Sequence, residues 1–110
     1  MDRYEIYELH CEVCKVIHHP VRMAVVHALG EGEKSVAELL ERTDVSKANL
    51  SQHMKVLKNK GLVSARREGQ KVFYSLKYPK ILQALDKMYE VLLEMLADQG
   101  AIYEEIKNLY

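Results

Sequence analysis

The sequence predicts a mainly α fold carrying one small β-hairpin. Three observations predict it. Apolar residues recur at spacings of three and four along most of the chain. Helix start and stop signals punctuate those stretches, and one pair of short β-prone runs interrupts them before the final stretch. With 110 residues, 48% apolar and 29% charged, the chain has ordinary globular composition and room for a single domain, 1–110, with one core.

The first helix is expected over residues 3–18, where Tyr4, Tyr7, Cys11, Cys14 and Ile17 or His18 form one stripe. His18-His19-Pro20 breaks it, because the residue before proline resists helical geometry while proline suits a first helical turn. A second helix starts at Pro20 with Val21, Ala24, Val25, Ala28 and Leu29 inward, and Gly30-Glu31-Gly32 stops it. Ser35-Val36-Ala37-Glu38 is a capping box that opens a short helix burying Val36, Leu39 and Leu40. Thr43-Asp44-Val45 is a tight turn. Ser46 caps the next helix, Lys47 to about Lys60, with Leu50, Met54 and Leu57 inward and Gly61 at its end.

The β-prone runs are Leu62–Arg66 and Lys71–Leu76, joined by Arg67-Glu68-Gly69-Gln70. Tyr78-Pro79 then starts a long helix striped by Ile81, Leu82, Leu85, Met88, Tyr89, Leu92 and Leu96. Gly100 interrupts it before a last amphipathic piece with Ile102, Ile106 and Leu109. A capped short helix, a turn and a second helix make a helix-turn-helix over 35–60, and the basic hairpin behind it, 62–76, is a wing. The chain therefore reads as a winged helix-turn-helix. A small domain gains core by pairing with a second copy, and the first and last helices, 1–18 and 79–110, are the expected dimerisation elements.

A net charge of zero conceals a sorted distribution. Residues 46–77 hold eight basic side chains against the single acid Glu68, a net +7, while residues 1–45 carry −4 and residues 78–110 carry −3. A basic block between acidic flanks suits a surface that meets a polyanion, against the plainer alternative of a solvated charged face. In the candidate recognition helix Ser46, Lys47, Asn49, Ser51, Gln52, His53 and Lys55 fall on or near the outer faces. Asn and Gln suit adenine, Lys suits guanine, and the helix N-terminus favours phosphate. In the wing, Arg66, Arg67, Gln70 and Lys71 can follow a DNA backbone or enter a minor groove. The expected function is sequence-specific binding of double-stranded DNA.

The residues from His19-Pro20-Val21-Arg22 through Leu50-Ser51-Gln52-His53-Met54-Lys55-Val56-Leu57, Gly61-Leu62-Val63 and Arg66–Leu76 resemble the ArsR/SmtB family of bacterial and archaeal repressors. The similarity spans roughly residues 8–97. It implies a winged-helix homodimer that sits on an operator and is released by an inducer, commonly a metal ion, a metalloid or a reactive sulfur species. One family site places thiols in the helix before the recognition helix, where this chain has Glu38-Leu39-Leu40-Glu41-Arg42-Thr43. Another takes Asp and His from the last helix. Here all five histidines lie at or before His53, and Asp86 is followed by Lys87-Met88. Neither site is expected in its usual form.

The remaining candidate is Cys11-Glu12-Val13-Cys14-Lys15-Val16-Ile17-His18. On a continuous helix Cys11, Cys14 and His18 share one face, and two thiolates with an imidazole suit zinc, cadmium, copper(I) or arsenite. Two copies across a dimer seam would supply four sulfurs. Two further readings stand beside it: both cysteines simply pack in an apolar stripe, or their thiols respond to oxidation or persulfide. His19 and His27 read as structural.

No run of eighteen apolar residues exists and the start, Met1-Asp2-Arg3-Tyr4-Glu5, is acidic, so no membrane partner and a cytoplasmic location are expected. Two close cysteines agree with a reducing compartment. The Cys-x-x-Cys pair lies mid-helix with no βαβ pattern, and neither a phosphate-cradling loop nor a nucleophile with its base is evident. The chain therefore reads as a non-enzyme. A winged helix used only for protein contact is the remaining rival.

Overall fold

Residues 1–99 and 107–109 are described in a computed structural model. The order is α1 (Arg3–Ile17), α2 (Pro20–Gly30), β1 (Lys34–Ser35), α3 (Val36–Thr43), α4 (Lys47–Asn59), β2 (Val63–Glu68), β3 (Lys71–Leu76) and α5 (Lys80–Asp98). The chain divides into two units, Met1–Tyr78 and Pro79–Tyr110.

In the first unit each helix begins where side-chain chemistry says it should. Asp2 and Glu5 form a capping box at α1, the Glu5 N–H donating to Asp2 at 2.9 Å and the Asp2 N–H to Glu5 at 3.1 Å. His19 caps α2 as its Nδ1 accepts the Val21 N–H at 3.2 Å, with Pro20 in the first turn. Ser35 and Glu38 form the expected box at α3, and Ser46 Oγ accepts the Asn49 N–H at 3.1 Å to open α4. Between α3 and α4, Asp44 takes a left-handed φ of 53°, which an aspartate tolerates better than a branched side chain. Gly61, at φ 80°, closes α4 with two backbone bonds, Gly61 N–H to Lys58 at 2.9 Å and Leu62 N–H to Leu57 at 3.0 Å. That is a Schellman arrangement, which consumes carbonyls the last turn would otherwise leave unpaired.

The core of this unit is built from Ile17 of α1, Val25, Val26, Ala28 and Leu29 of α2, Leu39 of α3, Leu50, Met54 and Leu57 of α4, and Leu62 with Val63 at the wing base. Each valine, leucine, isoleucine or methionine side chain so removed from water contributes about 1.5–3 kcal/mol, and Ala28 less. Val26 joins this core although it lies off the expected stripe, because α2 is apolar on more than one face. Val21, Ala24, Val36 and Leu40 are only half-buried.

The wing differs from expectation in two ways. β2 runs on to Glu68, pairing Arg67 with Val72 and Glu68 with Lys71, so only Gly69 and Gln70 form the turn. Gly69, at φ 62°, is the first loop residue, where a two-residue hairpin of the II′ kind places glycine. In addition, β1 pairs antiparallel with β3, Lys34 opposite Tyr74 and Ser35 opposite Phe73, giving a three-stranded sheet ordered β1-β3-β2. Two residues are too short a run to carry a period-two signal, so sequence pattern could not reveal β1.

In the second unit α5 follows Pro79 without a side-chain cap. Its most buried residue is Leu85, while Met88, Val91, Leu92 and Met95 are exposed. Tyr4, Ile6, Tyr7 and Leu9 are likewise exposed on α1. The expected break at Gly100 and the helical positions Ile102 and Ile106 lie outside the described residues; Leu109 is exposed.

Candidate nucleic-acid interface

With Leu50, Met54 and Leu57 buried, helical geometry sorts the rest of α4. Gln52 and Lys55 point opposite the core and are exposed. Lys47, Ser51 and Lys58 occupy the flank toward the wing. Lys47 shares a cleft of about 340 Å³ with Gln70 and Lys71 of the hairpin tip and with Ser35 and Val36 at the start of α3. Ser51 lines a second hollow with Val72 and Tyr74, and Lys58 a third with Arg67. The fold thus brings Lys47, Gln70 and Lys71 together at one end and Lys58 with Arg67 at the other. Lys58 was not singled out by sequence, although it lies seven residues, two turns, after Ser51.

Three expected contact residues have other engagements. Ser46 spends its hydroxyl oxygen on the α4 cap. Arg66 is held by carboxylates: its Nε and Nη2 donate to Glu33 at 2.8 and 2.7 Å, and its Nη1 donates to Glu68 at 2.8 Å. Its guanidinium also lies 4.5 Å from the centre of the Phe73 ring. Those hydrogen bonds to Glu33 and then Glu68 raise the Arg66 pKa, while the same guanidinium holds the Glu33 carboxyl below its ordinary value. The cation is balanced within the chain.

His53 departs from an outer-face position as well. It lies half-buried on the flank turned toward α2, its ring 4.4 Å from that of His19. Burial first, and then the charges of His19 and Arg22, lower its pKa. Asn49 shares that flank but is exposed.

After these pairings, after Lys60 meets Glu12 at 3.3 Å, and with Lys77 lying 6.0 Å from the centre of the Tyr78 ring, five cations of the basic block have neither an ion-pair nor a ring partner among the described residues: Lys47, Lys55, Lys58, Arg67 and Lys71. All five are exposed.

The cysteines are free; Cys11 is exposed and Cys14 half-buried. Core packing of Cys11 within the described chain is therefore not what is found. His18, the exposed C-cap of α1, still donates its N–H to the Cys14 carbonyl at 2.8 Å, but its ring does not gather with the two thiols. No three His, Cys, Asp or Glu side chains among the described residues gather as a metal site. The set Cys11, Cys14 and His18 in one chain does not fit a tetrahedral ion.

Comparison with known proteins places this geometry. A helix-turn-helix domain family is matched over residues 17–64. The HTH-type transcriptional regulator Rv0081 of Mycobacterium tuberculosis (strain ATCC 25618 / H37Rv) is 35% identical over 108 residues, 97% of this chain and 95% of that protein. Its crystal structure superposes with a TM-score of 0.76 at 37% identity, covering 87% of this chain and 97% of that one. The HTH-type transcriptional repressor SmtB of the same strain is 38% identical over 72 residues, 66% of this chain and 53% of that protein. The chain belongs to the ArsR/SmtB family. Within it, a biofilm growth-associated repressor of Xylella fastidiosa (strain 9a5c) is 38% identical over 77 residues, 70% of this chain and 68% of that protein. The crystal structure of the Xylella fastidiosa repressor BigR superposes with a TM-score of 0.70 at 35% identity, over 83% of this chain and 96% of that one. This ArsR/SmtB protein is a winged helix-turn-helix, DNA-binding transcriptional regulator, and among its described residues no helix is long and apolar enough to cross a membrane.

Proposed function

We propose that this regulator is an operator-binding repressor in which α4 reads base edges in a major groove and the wing follows the flanking backbone. The observation that carries this reading is the set of five unpaired, exposed cations on α4 and the wing, with the exposed amide of Gln52 on the same helix. Lys47, Lys55, Lys58, Arg67 and Lys71 supply phosphate neutralisation, which gives affinity without sequence preference. Gln52, Asn49 and Ser51 supply donors and acceptors for bases. Dimerisation through α1 and α5 is part of the proposal, supported by the exposed apolar residues on both helices.

The test uses a duplex recovered by selection from a randomised pool, with a scrambled duplex beside it, at two salt concentrations. Gln52→Ala should lose about 1–3 kcal/mol on the selected duplex and little on the scrambled one. Affinity that does not fall as salt rises would point instead to a winged helix serving protein contact.

Release is proposed to begin at Cys11 and Cys14. A single chain lacks the ligands for a closed ion site, so a soft metal ion or arsenite would need sulfurs from both copies, whereas oxidation or persulfide formation would need only the accessible Cys11. The double change Cys11→Ser with Cys14→Ser should keep duplex binding and abolish release by cadmium, arsenite or polysulfide. Release that persists in the double variant would make the cysteines bystanders.

A further inference from the structure

The unused feature of the recognition helix is the ring pair His19–His53. His53 stands on α4, one residue from Gln52, yet faces inward against the N-cap of α2. His19 Nδ1 accepts the Val21 N–H, so a neutral His19 carries its proton on Nε2. Beside them Arg22 reaches back to α1, its Nη1 donating to the Val16 carbonyl at 2.7 Å while its buried Nε has no hydrogen-bond partner. Three elements therefore meet at this seat: the end of α1, the start of α2 and the middle of α4.

The charged and titratable groups that act on His53 from α2 are His19 and Arg22, and both disfavour a further cation. Glu12 of α1 is engaged by Lys60, two turns further along α4, and no α1 group is felt at His53. From α3, β2 and the wing no charged group is felt at His53.

From this geometry we infer that His53 is a positioning residue for DNA recognition, a neutral ring that seats α4 on α2, and that its protonation unseats α4 and weakens DNA binding. A proton here creates a half-buried cation beside Arg22, with no carboxylate among the described residues felt at it. Relief comes from lifting that flank of α4 into water, which displaces Gln52 and Lys55 from the register the groove requires. By linkage, bound DNA drives the proton off. The sign is the useful part. A histidine that touched phosphate or a base as a cation would bind better in acid, whereas this seat predicts the reverse. The inference rests on α4 being the DNA-reading helix.

Fluorescence anisotropy on the selected duplex, at constant ionic strength and at about pH 8 and about pH 5, reaches the acid end of the histidine range, where a lowered His53 takes its proton. Three proteins are compared: wild type, His53→Gln, and His53→Phe, which keeps a ring on His19 but cannot take a proton. The quantity read is each protein's affinity ratio between the two pH values, with far-UV circular dichroism confirming that each is folded. Wild type should weaken several-fold on acidification, and both variants should stay level or strengthen. Equal ratios in all three, or a wild type that strengthens most, overturns the role. A histidine NMR titration of wild type answers the same question without any variant: the His53 midpoint should fall when DNA is added, and a rise overturns the inference. Loss of salt dependence in wild type at about pH 8 would instead sink the interface reading itself, and salt-dependent binding with equal pH ratios sinks only His53.

Discussion

Arg66 and Arg67 are neighbours in sequence and opposites in electrostatic standing, which makes them a sharp test of the interface. Arg67 has no ion-pair partner among the described residues, whereas Arg66 is neutralised by Glu33 and Glu68. If each of the five unpaired cations neutralises one phosphate, a dimer makes about ten such contacts, and log K falls against log salt with a slope of about −9. Arg67→Ala removes one contact per subunit and should flatten that slope by about 1.8. Over a fourfold rise in salt, from about 50 to about 200 mM, the variant would then lose about twelvefold less affinity than wild type. The comparison is the double variant Arg66→Gln with Glu33→Gln, which removes one charge of each sign and so conserves local charge. Its slope should match wild type. Anisotropy titrations at four or so salt concentrations decide the matter. A double variant that flattens the slope as much as Arg67→Ala, or an Arg67→Ala that leaves it unchanged, would refute the sorting of free from balanced cations.

Further expectations concern the scaffold. Leu57 is fully buried between α4 and the rest of the core, so Leu57→Ala should cost about 2–5 kcal/mol in urea unfolding. A smaller loss would mean that the site collapses around the cavity. Ser46→Ala removes the α4 cap and should cost about 0.5–2 kcal/mol, lowering the urea midpoint and fraying the turn that carries Lys47; an unchanged midpoint would mean that the cap bond is replaced by water. Glu31, Glu33 and Glu38 all have carboxyls held below their ordinary value of 4.5, chiefly by hydrogen bonds from Arg42, Arg66 and Ser35 respectively. Their folded values being lower than unfolded ones, the stability they lend is present above the unfolded value and disappears as pH falls through the lowered ones. Urea midpoints should therefore hold down to about pH 4.5 and decline below it, and Arg42→Gln should make that decline shallower. An acid decline as steep in the variant as in wild type would deny Glu31 its part.

Much of this was legible in the sequence because it depends on local chemistry. Ser35 with Glu38, Ser46 before a polar helix, and Gly61 behind it are caps whose logic is contained within a few residues, and each stands where the pattern put it. The inward faces of α4 followed from spacing alone. What was not legible depends on partners distant along the chain. Glu33 neutralises Arg66 across 33 positions, and no local pattern distinguishes that arginine from Arg67. His53 turns inward because His19, far upstream, occupies the adjacent end of α2; spacing left it on the border between inner and outer faces. His18 shows the limit of spacing: it shares a helical projection with the cysteines, yet its ring does not gather with them as a set of ligands. The basic stretch was thus legible in sequence, while which of its cations are balanced within the chain needed the fold.

The two-residue strand β1 bears on how the molecule assembles. The β2–β3 ladder closes through a turn of two residues and can form by itself within microseconds, as hairpins do. The rung from Lys34 to Tyr74 instead encloses all of α3 and α4, and the entropy of closing so long a loop must be met before the rung forms. It therefore forms late in folding, once the helices between are in place, and with only two residue pairs it is among the first joints to open in native-state hydrogen exchange. Leu62 and Val63 anchor the base of the hairpin in the core, so loosening at β1 frees one edge of the sheet while the wing stays seated.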